Sequence, residues 1–455
     1  MRYLSTAAMA AALAVSSGAF ADTKFKATLA GHAVLPATTV VQPPADAPAY
    51  FKISGRYNGA PGVRVEDLGK FPGTSFLSDK AAPRSTGYSL PMAGQPVQGF
   101  SGIKAMKDGS FWVLVDNGFG GKGNSADALL MLHQIKPDWA GGAVAIQKSL
   151  FLHDPDKKIP FRIVNETTEK RYLTGADLDI ESFQLIGDSL WIADEFGPYL
   201  IRTDASGKVT GFWETMVDGK VARSPDHHAI STPSVPGGAV AFNVRRSRGY
   251  EGMAASPDGK FLYALLEGPL WDEAAKAWET DGGKEYLRIL EFDVSAQKWT
   301  GRFWKYRLEI NGNNIGDFNM LDATTGLIIE RDNGEGELPQ ACTGAPRPDC
   351  FNIPAKFKRI YKVELNDANA GGFVRKIGHL DLMAIKDPDR KGRQGSKEGI
   401  FTFPFVTIEG LDVVDDRHII VGNDNNLPYS SGRVLGRQDD NELILLEASD
   451  LLKAK

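Results

Sequence analysis

Several features that often reveal a protein's class are scarce in this sequence. It has two cysteines and seven histidines in 455 residues, so a cysteine-rich disulfide scaffold and a Cys/His zinc module are both excluded. After the N-terminus, no run approaches 18 uninterrupted apolar residues, which argues against a membrane-spanning helix. The formal charge is −5 and no basic run occurs, so a nucleic acid is not expected as a partner.

Familiar catalytic motifs are also missing. The sequence contains neither a G-x-x-x-x-G-K-[ST] loop nor a dinucleotide-binding fingerprint. The fragment "GFSGI" at 99–103 does not fit G-x-S-x-G and has no strand–elbow–helix context, which argues against an α/β hydrolase. The histidines follow no spacing of a metal-binding helix, and His227 and His228, in a polar loop, are expected to be a solvated pair. Any catalysis is therefore expected to depend on metal chemistry.

The N-terminus has the composition of a secretory signal. "MRYLSTAAMAAALAVSSGAFADTKF" combines Arg2, an apolar stretch and small residues at Ala19 and Ala21. This pattern predicts a signal peptide over 1–21, cleavage before Asp22, and export of residues 22–455 to a periplasm or the medium. The mature chain is expected to be soluble and monomeric.

What is abundant is period-two apolar alternation with tight-turn dipeptides, which is typical of β-structure. One hairpin-like fragment recurs five times. The copies are "FSGIKAMKDGSFWVLVDNG" (100–118), "IESFQLIGDSLWIADEFG" (180–197), "YEGMAASPDGKFLYALLEG" (250–268), "GDFNMLDATTGLIIERDNG" (316–334) and "IEGLDVVDDRHIIVGNDN" (408–425). Their turns carry residues that hairpins prefer.

Most copies are followed by a third strand-like segment, and several by a fourth. Four-stranded antiparallel units in series predict an all-β fold, a single β-propeller over 22–455. We expect six blades, with five or seven as alternatives. The N-terminal segment would form a further blade and close the ring against the C-terminal strand. Separate β-sandwich domains would require linkers, whereas only loop-like insertions occur, such as 217–240 and 332–357. Whether 217–240 is a lid or a solvated loop stays open.

Acidic and amide residues lie at the open ends of these hairpins, where the start of one strand faces the end of the next. If these are the inner strands of the blades, the oxygen-bearing side chains converge on the central channel. The pairs are Ser101 with Asp116 and Asn117, Glu181 with Asp194 and Glu195, Glu251 with Glu267, Asp317 with Glu330 and Asp332, and Glu409 with Asn423 and Asp424.

Such convergence has an electrostatic cost of about 1–3 kcal/mol for each like-charged pair ~5 Å apart. Protonation or a bound cation can offset it. All-oxygen ligands favour Ca²⁺, in unknown number, over zinc or copper. Taken alone, each carboxylate is also compatible with a solvated loop residue, and Glu330 could face away from the channel. The predicted metal ligands are Glu181, Glu195, Glu251, Glu267, Asp332, Glu409 and Asp424.

Arginines near the same rim suggest an anionic substrate. Arg248 precedes Glu251, and Arg331 lies between Glu330 and Asp332. Each arginine can pair with a rim carboxylate or bind the substrate. The hypothesis assigns substrate binding to Arg248, Arg331 and Asn117, and catalysis to Glu251, Glu267 and the two arginines.

The two cysteines, Cys342 and Cys350, lie eight residues apart in a segment rich in Pro and Gly. In an exported protein this spacing predicts a local disulfide that contributes roughly 2–3 kcal/mol on the chain-entropy estimate. A metal site is the alternative, but neighbouring His or further Cys ligands are absent.

Longer fragments carry a family resemblance. "RGYEGMAASPDGKFLYALLEGPL" and "LIIERDNG" are the most specific; "GFSGI" with "VDNG", "DIESF" with "WIADEFGPYLIR", and "EGLDVV" with "VGNDNN" extend it over residues 99 to about 447. The chain resembles the exported family with esterase-like activity of phytase type, which is similar to calcium-dependent propeller phytases. The resemblance implies a propeller that hydrolyses esters, with acidic residues at the rim of the channel as the functional residues. Glu251 and Glu267 match the family's pattern best. The full set of phosphate-binding Lys and Arg of a true phytase is not found, so phytate is not the expected substrate.

These observations favour an exported, Ca²⁺-dependent hydrolase of small, anionic esters, with phosphoesters preferred over carboxylic esters. One alternative is a metal-dependent lactonase or carboxylesterase. Another is a non-catalytic, calcium-stabilised propeller that binds a glycan, a peptide or an envelope partner, since this fold supports many functions.

Overall fold

Each recurring hairpin forms the two inner strands of a four-stranded antiparallel sheet, as the sequence predicts. The computed structural model describes residues 23–455; the predicted signal peptide and its cleavage before Asp22 lie outside this range. The sheets are numbered here as blades from the first hairpin. Their strands, from the inside outwards, are Phe100–Ala105, Phe111–Val115, Met131–Pro137 and Val144–Phe151 in blade 1; Ile180–Ile186, Ser189–Asp194, Tyr199–Asp204 and Val209–Glu214 in blade 2; Tyr250–Ala255, Phe261–Leu266, Lys284–Asp293 and Lys298–Arg307 in blade 3; Asn314–Met320, Thr325–Arg331, Lys358–Glu364 and Arg375–Asp381 in blade 4; and Ile408–Val413, His418–Asn423, Asn441–Glu447 and Thr28–Leu35 in blade 5.

The inner strands of successive blades contact one another in a closed cycle, with blade 5 next to blade 1. The fold is therefore an all-β propeller, as predicted. Over residues 23–455 it has five blades and not the six that were expected, so the alternative of five is the one observed.

The N-terminal segment explains this difference. Thr28–Leu35 pairs antiparallel with Asn441–Glu447 as the outer strand of blade 5, so the predicted closure of the ring is confirmed. Residues 36–98 do not form a further blade. Instead they form three two-stranded sheets: Val40–Val41 with Gln95–Pro96, Ile53–Ser54 with Met92–Ala93, and Phe71–Thr74 with Ser85–Leu90. These strands are too short and too often interrupted to provide a four-stranded unit.

The remaining elements are short additions at the edges. Thr23–Phe25 pairs in parallel with the outer strand of blade 4. Further short strands are Met216–Val217, Lys220–Val221, Trp271–Asp272, Ala277–Trp278, Thr280–Asp281, Ile385–Lys386, Ser396–Lys397 and Ile400–Phe401, and the helical turns are Ala49–Lys52, Leu338–Gln340, Asp367–Asn369 and Ser449–Lys453.

The core lies in the seams between blades because each blade is buried on both faces. Phe183 and Ile192 of blade 2, for example, pack in one cluster with Leu114 and Leu132 of blade 1. Burying each such side chain stabilises the fold by about 1.5–3 kcal/mol. The seams hold the inner strands, and therefore the ends of the hairpins, at fixed positions around the channel.

Candidate active site

A β-bulge turns a carboxylate into the channel in three blades. The pairing between the two inner strands skips Glu181 in blade 2, Glu251 in blade 3 and Glu409 in blade 5. A bulged residue leaves the ladder, which re-aims its side chain. In blades 3 and 5 the next residue is glycine, and a Cβ on Gly252 would lie 2.8 Å from the backbone nitrogen of Phe318 in blade 4. The small residue therefore allows the adjacent blade to approach next to the carboxylate.

A second set of carboxylates directly follows the second strand of its blade. These residues are Asp116 in blade 1, Glu195 in blade 2, Glu267 in blade 3 and Asp424 in blade 5. The backbone N–H of Glu195 donates to the Asp179 carbonyl at 2.7 Å, and that of Glu267 donates to Gly249 at 2.8 Å. These bonds fix the end of the second strand next to the start of the first.

The two sets meet in one buried cluster, as the sequence predicts for most of them. Three groups of carboxylates each have oxygen atoms within 4.8 Å of one another: Asp179, Glu181 and Glu195; Glu181, Glu251 and Glu409; and Glu195, Glu251 and Glu267. Glu251 belongs to two of these groups and is only 6 % exposed. Contributions from blades 2, 3 and 5 therefore form one continuous set of oxygen donors.

Arg331 lies inside this cluster. Its Nη2 is 2.6 Å from Glu409 Oε1, 3.8 Å from Glu251 Oε1 and 4.0 Å from Glu267 Oε1, and the residue is 3 % exposed. Arg248 pairs with Glu267 from the outer side and keeps 32 % of its side chain exposed. The two arginines therefore occupy different places, since Arg331 is enclosed by carboxylates and Arg248 reaches solvent.

The cluster carries more carboxylates than the arginines neutralise. Eight carboxyl groups influence one another, whereas two guanidinium groups lie among them; the eight are Asp116, Asp179, Glu181, Glu195, Glu251, Glu267, Glu409 and Asp424. Burial, followed by neighbouring carboxylates, raises the pKa of Glu181, Glu195 and Glu251 well above the ordinary value. The same causes raise the pKa of Asp116 to about 8. Proton uptake or a cation must offset the remaining negative charge.

The donor set fits a hard divalent cation. Glu251 Oε1 is buried and has no hydrogen-bond partner among residues 23–455, although it faces the other oxygens of the cluster. A buried carboxylate oxygen without a partner is costly, and coordination would satisfy it. Carboxylate oxygens alone are ligands that suit Ca²⁺. Glu181, Glu195, Glu251, Glu267 and Glu409 are the residues placed to hold such an ion.

Blade 4 differs from the others, and this changes the position of Asp332. The backbone N–H of Asp332 donates to Phe357, on the side of the third strand, at 2.8 Å. Its carboxylate accepts from the N–H groups of Lys356 and Phe357 at 2.7 and 2.9 Å and pairs with Lys358 at 2.9 Å. Asp332 therefore lies outside the three carboxylate groups, and Arg331 takes the place facing the channel.

Other predicted residues support the cluster indirectly. Asn117 donates from Nδ2 to Asp179 Oδ1 at 2.7 Å, and its Oδ1 accepts from Gly120 N at 2.6 Å. Ser101 donates to Glu409 Oε2 at 3.2 Å. Asp424 is buried near Asp116 and Glu409. Asn117 thus holds Asp179 in place, and its predicted contact with substrate stays a prediction.

Two acidic residues at hairpin ends face elsewhere. Glu330 accepts from the Tyr306 hydroxyl and from Glu309 N, both at 2.8 Å, between blades 3 and 4. It therefore faces away from the channel, an orientation that the sequence left open. Asp317 is buried and accepts from Leu411 N at 3.1 Å.

Asp179 is the carboxylate of the cluster that sequence reasoning missed. It lies two residues before Glu181, in "DLDIESF", outside the aligned hairpin. Alternate residues of an extended chain project to the same side, so the Asp-x-Glu spacing was an available signal.

Two further expectations concern the whole chain. Cys342 and Cys350 form the predicted disulfide, with their Cα atoms 5.0 Å apart. Over residues 23–455, no helix has the length and apolar character needed to cross a bilayer.

The chain was compared with known proteins. An uncharacterized secreted protein of Arthroderma benhamiae is 28 % identical over 132 residues, which covers 26 % of this chain and 24 % of that protein, so the chain matches only about a quarter of the relative's length. Regucalcin, a calcium-binding protein of Agrobacterium tumefaciens, is 10 % identical, with 76 % of this chain and 90 % of that chain covered and a TM-score of 0.31. The periplasmic gluconolactonase of Pseudomonas aeruginosa is 12 % identical, with 83 % and 98 % covered and a TM-score of 0.29. The fold assignment rests on the strand topology and not on these loose superpositions.

The family comparison covers most of the propeller. Residues 95–427 match the phytase-like family described as having esterase-like activity of phytase. The matched region runs from just before blade 1 to four residues beyond the second strand of blade 5, so it includes every carboxylate of the cluster. The chain belongs to this phytase-like family.

Proposed function

We propose that the protein is an exported, Ca²⁺-dependent hydrolase that prefers phosphoesters to carboxylic esters and acts at the carboxylate cluster of the channel. Membership of a family with esterase-like activity supports a hydrolase of ester type. The ion, the substrate preference and the compartment are our own inferences.

The observation that carries the proposal is the environment of Glu251. Its Oε1 is buried without a hydrogen-bond partner among residues 23–455, at the junction of two carboxylate groups. A proton shared with Glu409 can satisfy this carboxyl group in the metal-free protein, and a bound cation would take the place of that proton. Arg331 Nη2, 3.8 Å away, is too distant for a hydrogen bond.

When bound, a divalent cation supplies positive charge to the oxygens of the ester and increases the acidity of water. Glu181, Glu195, Glu251, Glu267 and Glu409 would hold the ion, while Arg331 fixes Glu409 by its 2.6 Å contact. Arg331 thereby limits the movement of a ligand and reduces the negative charge that an anionic substrate meets.

We assign the contact with substrate to Arg248. It pairs with Glu267 and keeps about a third of its side chain in solvent. A guanidinium can bind a phosphate through two parallel N–H groups, so its exposed donors suit an anionic phosphoryl oxygen. A neutral carboxylic ester would gain less from this contact, and this difference supports the preference for phosphoesters.

Asp116 is suited to hold a proton near neutral pH. Its Oδ1 accepts from Gly118 N at 2.9 Å and from Gln98 Nε2 at 3.1 Å, which leaves Oδ2 as the atom for the proton. Burial and nearby carboxylates raise its pKa to about 8. In the metal-free protein Asp116 is therefore expected to hold a proton near neutral pH, which removes one negative charge from the cluster.

Export is supported by the disulfide between Cys342 and Cys350, because such bonds persist in oxidising compartments. We propose that residues 22–455 act as one exported, monomeric unit after removal of residues 1–21.

The test compares nitrophenyl phosphate with nitrophenyl acetate, using metal-free protein with and without added Ca²⁺. Ca²⁺-dependent turnover that is faster on the phosphate is expected, and the double variant Glu251→Gln/Glu267→Gln should lose it. Glu169→Gln, at an exposed position outside the carboxylate groups, is the matched control. Full activity in the double variant would refute the site. Faster turnover of the acetate would support the carboxylesterase alternative, and calcium-dependent melting without hydrolysis would support the binding alternative.

A further inference from the structure

A second group of metal-ligand side chains lies on blade 2, away from the channel cluster. It consists of Glu214, His227 and His228. The sequence predicts a solvated histidine pair, which is wrong for His227 because this residue is 2 % exposed. The two imidazole rings stack, with their centroids 4.5 Å apart.

The carboxylate of Glu214 faces both histidines. Glu214 Oε1 is 3.2 Å from His227 Nε2 and 4.0 Å from His228 Nε2. Two ligands ~2.1 Å from a tetrahedral zinc ion lie roughly 3.4 Å apart, which is close to these separations. Glu214 ends the outer strand of blade 2, and its backbone carbonyl accepts from Trp299 Nε1 at 2.8 Å, so the strand end is held in place.

One ligand atom has no other partner. His227 Nε2 is buried and forms no hydrogen bond within residues 23–455, although Glu214 Oε1 lies 3.2 Å away. His228 has the outer contact typical of a metal-bound histidine, since its Nδ1 lies 2.8 Å from the Tyr199 hydroxyl. The cluster therefore combines an unsatisfied buried nitrogen with a second ring that is already oriented.

The cluster is accessible from solvent. Glu214 and His228 line a cavity of ≈ 820 Å³ between the outer strands of blades 2 and 3, together with Trp213 and Trp299. A bound ion could therefore complete its coordination with water from this cavity. His227 would bind the ion from the interior of the protein, on the side opposite the cavity.

We propose that Glu214, His227 and His228 form a binding site for a first-row transition-metal ion of the zinc class, separate from the calcium-type cluster of the channel. Two imidazoles and one carboxylate are a ligand set that zinc uses, whereas Ca²⁺ prefers oxygen ligands alone. This site does not depend on the ester hydrolysis proposed above.

Nearby charges affect the affinity of the proposed site for a metal ion. Burial, the adjacent His228 ring and the charges of Arg223 and Lys122 lower the pKa of His227 to about 4. The same two cations repel a bound ion, which Glu214 offsets only in part. We therefore expect weaker binding than at a zinc site without neighbouring cations.

Metal binding at His227 should change the hydrogen bond of a neighbouring backbone amide. In the structure, the N–H of Ala229 donates to His227 Nδ1 at 3.1 Å. Coordination at Nε2 places the ring proton on Nδ1, so this N–H must give up its acceptor. The amide of Ala229 is thus a reporter next to the site.

The test uses the full mature protein with saturating Ca²⁺, so that the channel cluster is occupied. Zn²⁺ binding is measured by calorimetry, and Co²⁺ absorption reports the coordination geometry. The variants are Glu214→Gln and His228→Gln. The matched control is His418→Gln, which changes a histidine that lies 2.9 Å from Asp415 on another blade. Melting without zinc checks that each variant folds.

One equivalent of Zn²⁺ is expected in the parent and in His418→Gln, with at least a tenfold weaker affinity in the other two variants. The Ala229 amide resonance of the parent should shift on Zn²⁺ addition. Unchanged zinc affinity in Glu214→Gln and His228→Gln would overturn the proposal, as would a parent that binds no zinc or an Ala229 resonance that does not move.

Discussion

Arg331 Nη2 lies 2.6 Å from Glu409 Oε1, and this contact joins blade 4 to blade 5 at the centre of the carboxylate cluster. Blade 4 therefore contributes a cation at the level where the other blades contribute carboxylates. The repulsion expected among converging carboxylates is thus offset in part by the chain itself. Any bound ion shares this task with a fixed guanidinium.

Replacing Arg331 by Gln should destabilise the protein by about 3–5 kcal/mol in chelator, because the variant leaves buried carboxylates without their cation. Added Ca²⁺ should recover part of this loss, since an ion can replace the missing charge. Thermal melting with chelator and with Ca²⁺ measures both effects. An equal loss under the two conditions would show that Arg331 and the ion do not act on the same carboxylates.

Ca²⁺ should raise the melting temperature of the parent protein. Binding only to the folded state stabilises it by about 2.7 kcal/mol when the free ion is at 100 times its dissociation constant. Glu251→Gln should reduce this gain, because it removes a ligand shared by two carboxylate groups. Glu169→Gln should keep the gain, as its side chain is exposed and belongs to none of the carboxylate groups. A full gain in Glu251→Gln would exclude Glu251 as a ligand.

The sequence predicts the hairpins and the convergence of their carboxylates because both follow from local patterns. Alternation and turn residues specify each strand pair, and the two open ends of a hairpin must be neighbours. It does not show the bulges at Glu181, Glu251 and Glu409, since skipping one residue of a ladder depends on how adjacent blades pack.

Asp332 illustrates the same limit. In sequence it is equivalent to Glu195 and Glu267, each directly following the second strand of its blade. The backbone N–H of Asp332 donates to Phe357, whereas the equivalent N–H groups of Glu195 and Glu267 donate to the segment before the first strand. This hydrogen bond to a distant part of the chain turns Asp332 away from the carboxylate cluster. The pairing of the N-terminal segment with the C-terminal strand was predicted, although its two strands lie more than 400 residues apart. What the sequence did not show is that Thr28–Leu35 is the outer strand of blade 5 and that residues 36–98 form no further blade.

Ring closure should be sensitive to acid. Glu442, in the strand Asn441–Glu447 of blade 5, accepts from Arg433 Nε at 2.9 Å and lies 3.1 Å from His32 Nε2 of the N-terminal strand. Burial alone would raise the pKa of Glu442, but the Arg433 charge and the bonds from His32 and Arg433 outweigh it and lower this pKa to about 2. The unfolded value is about 4.3.

A pKa lowered by folding contributes stability above the unfolded value and loses it as the pH falls towards the folded value. The stability from Glu442 is therefore present at neutral pH and lost between about pH 5 and pH 2. Denaturant unfolding of the parent and of Glu442→Gln should show a difference in free energy at pH 7 that shrinks through this range. A constant difference from pH 7 to pH 3 would contradict the assignment.

The N-terminal segment should be held to the disulfide loop by a buried ion pair. Arg84 pairs with Glu335, and both residues are about 1 % exposed. Arg84 Nη1 also donates to the Cys350 carbonyl at 2.9 Å, and Ser75 donates to Glu335 Oε1 at 2.7 Å.

Arg84→Met should destabilise the folded protein by about 3–5 kcal/mol, because it leaves the Glu335 carboxylate buried without its charge partner. The double variant Arg84→Met/Glu335→Leu should lose less than the single variant, since no uncompensated charge remains in the interior. Chemical denaturation of the parent, the two single variants and the double variant gives the coupling energy of the pair. Additive losses in this cycle would mean that the pair does not link the segment to the loop, whereas a coupling of about 1–3 kcal/mol identifies it as the contact that holds residues 71–90 against the propeller.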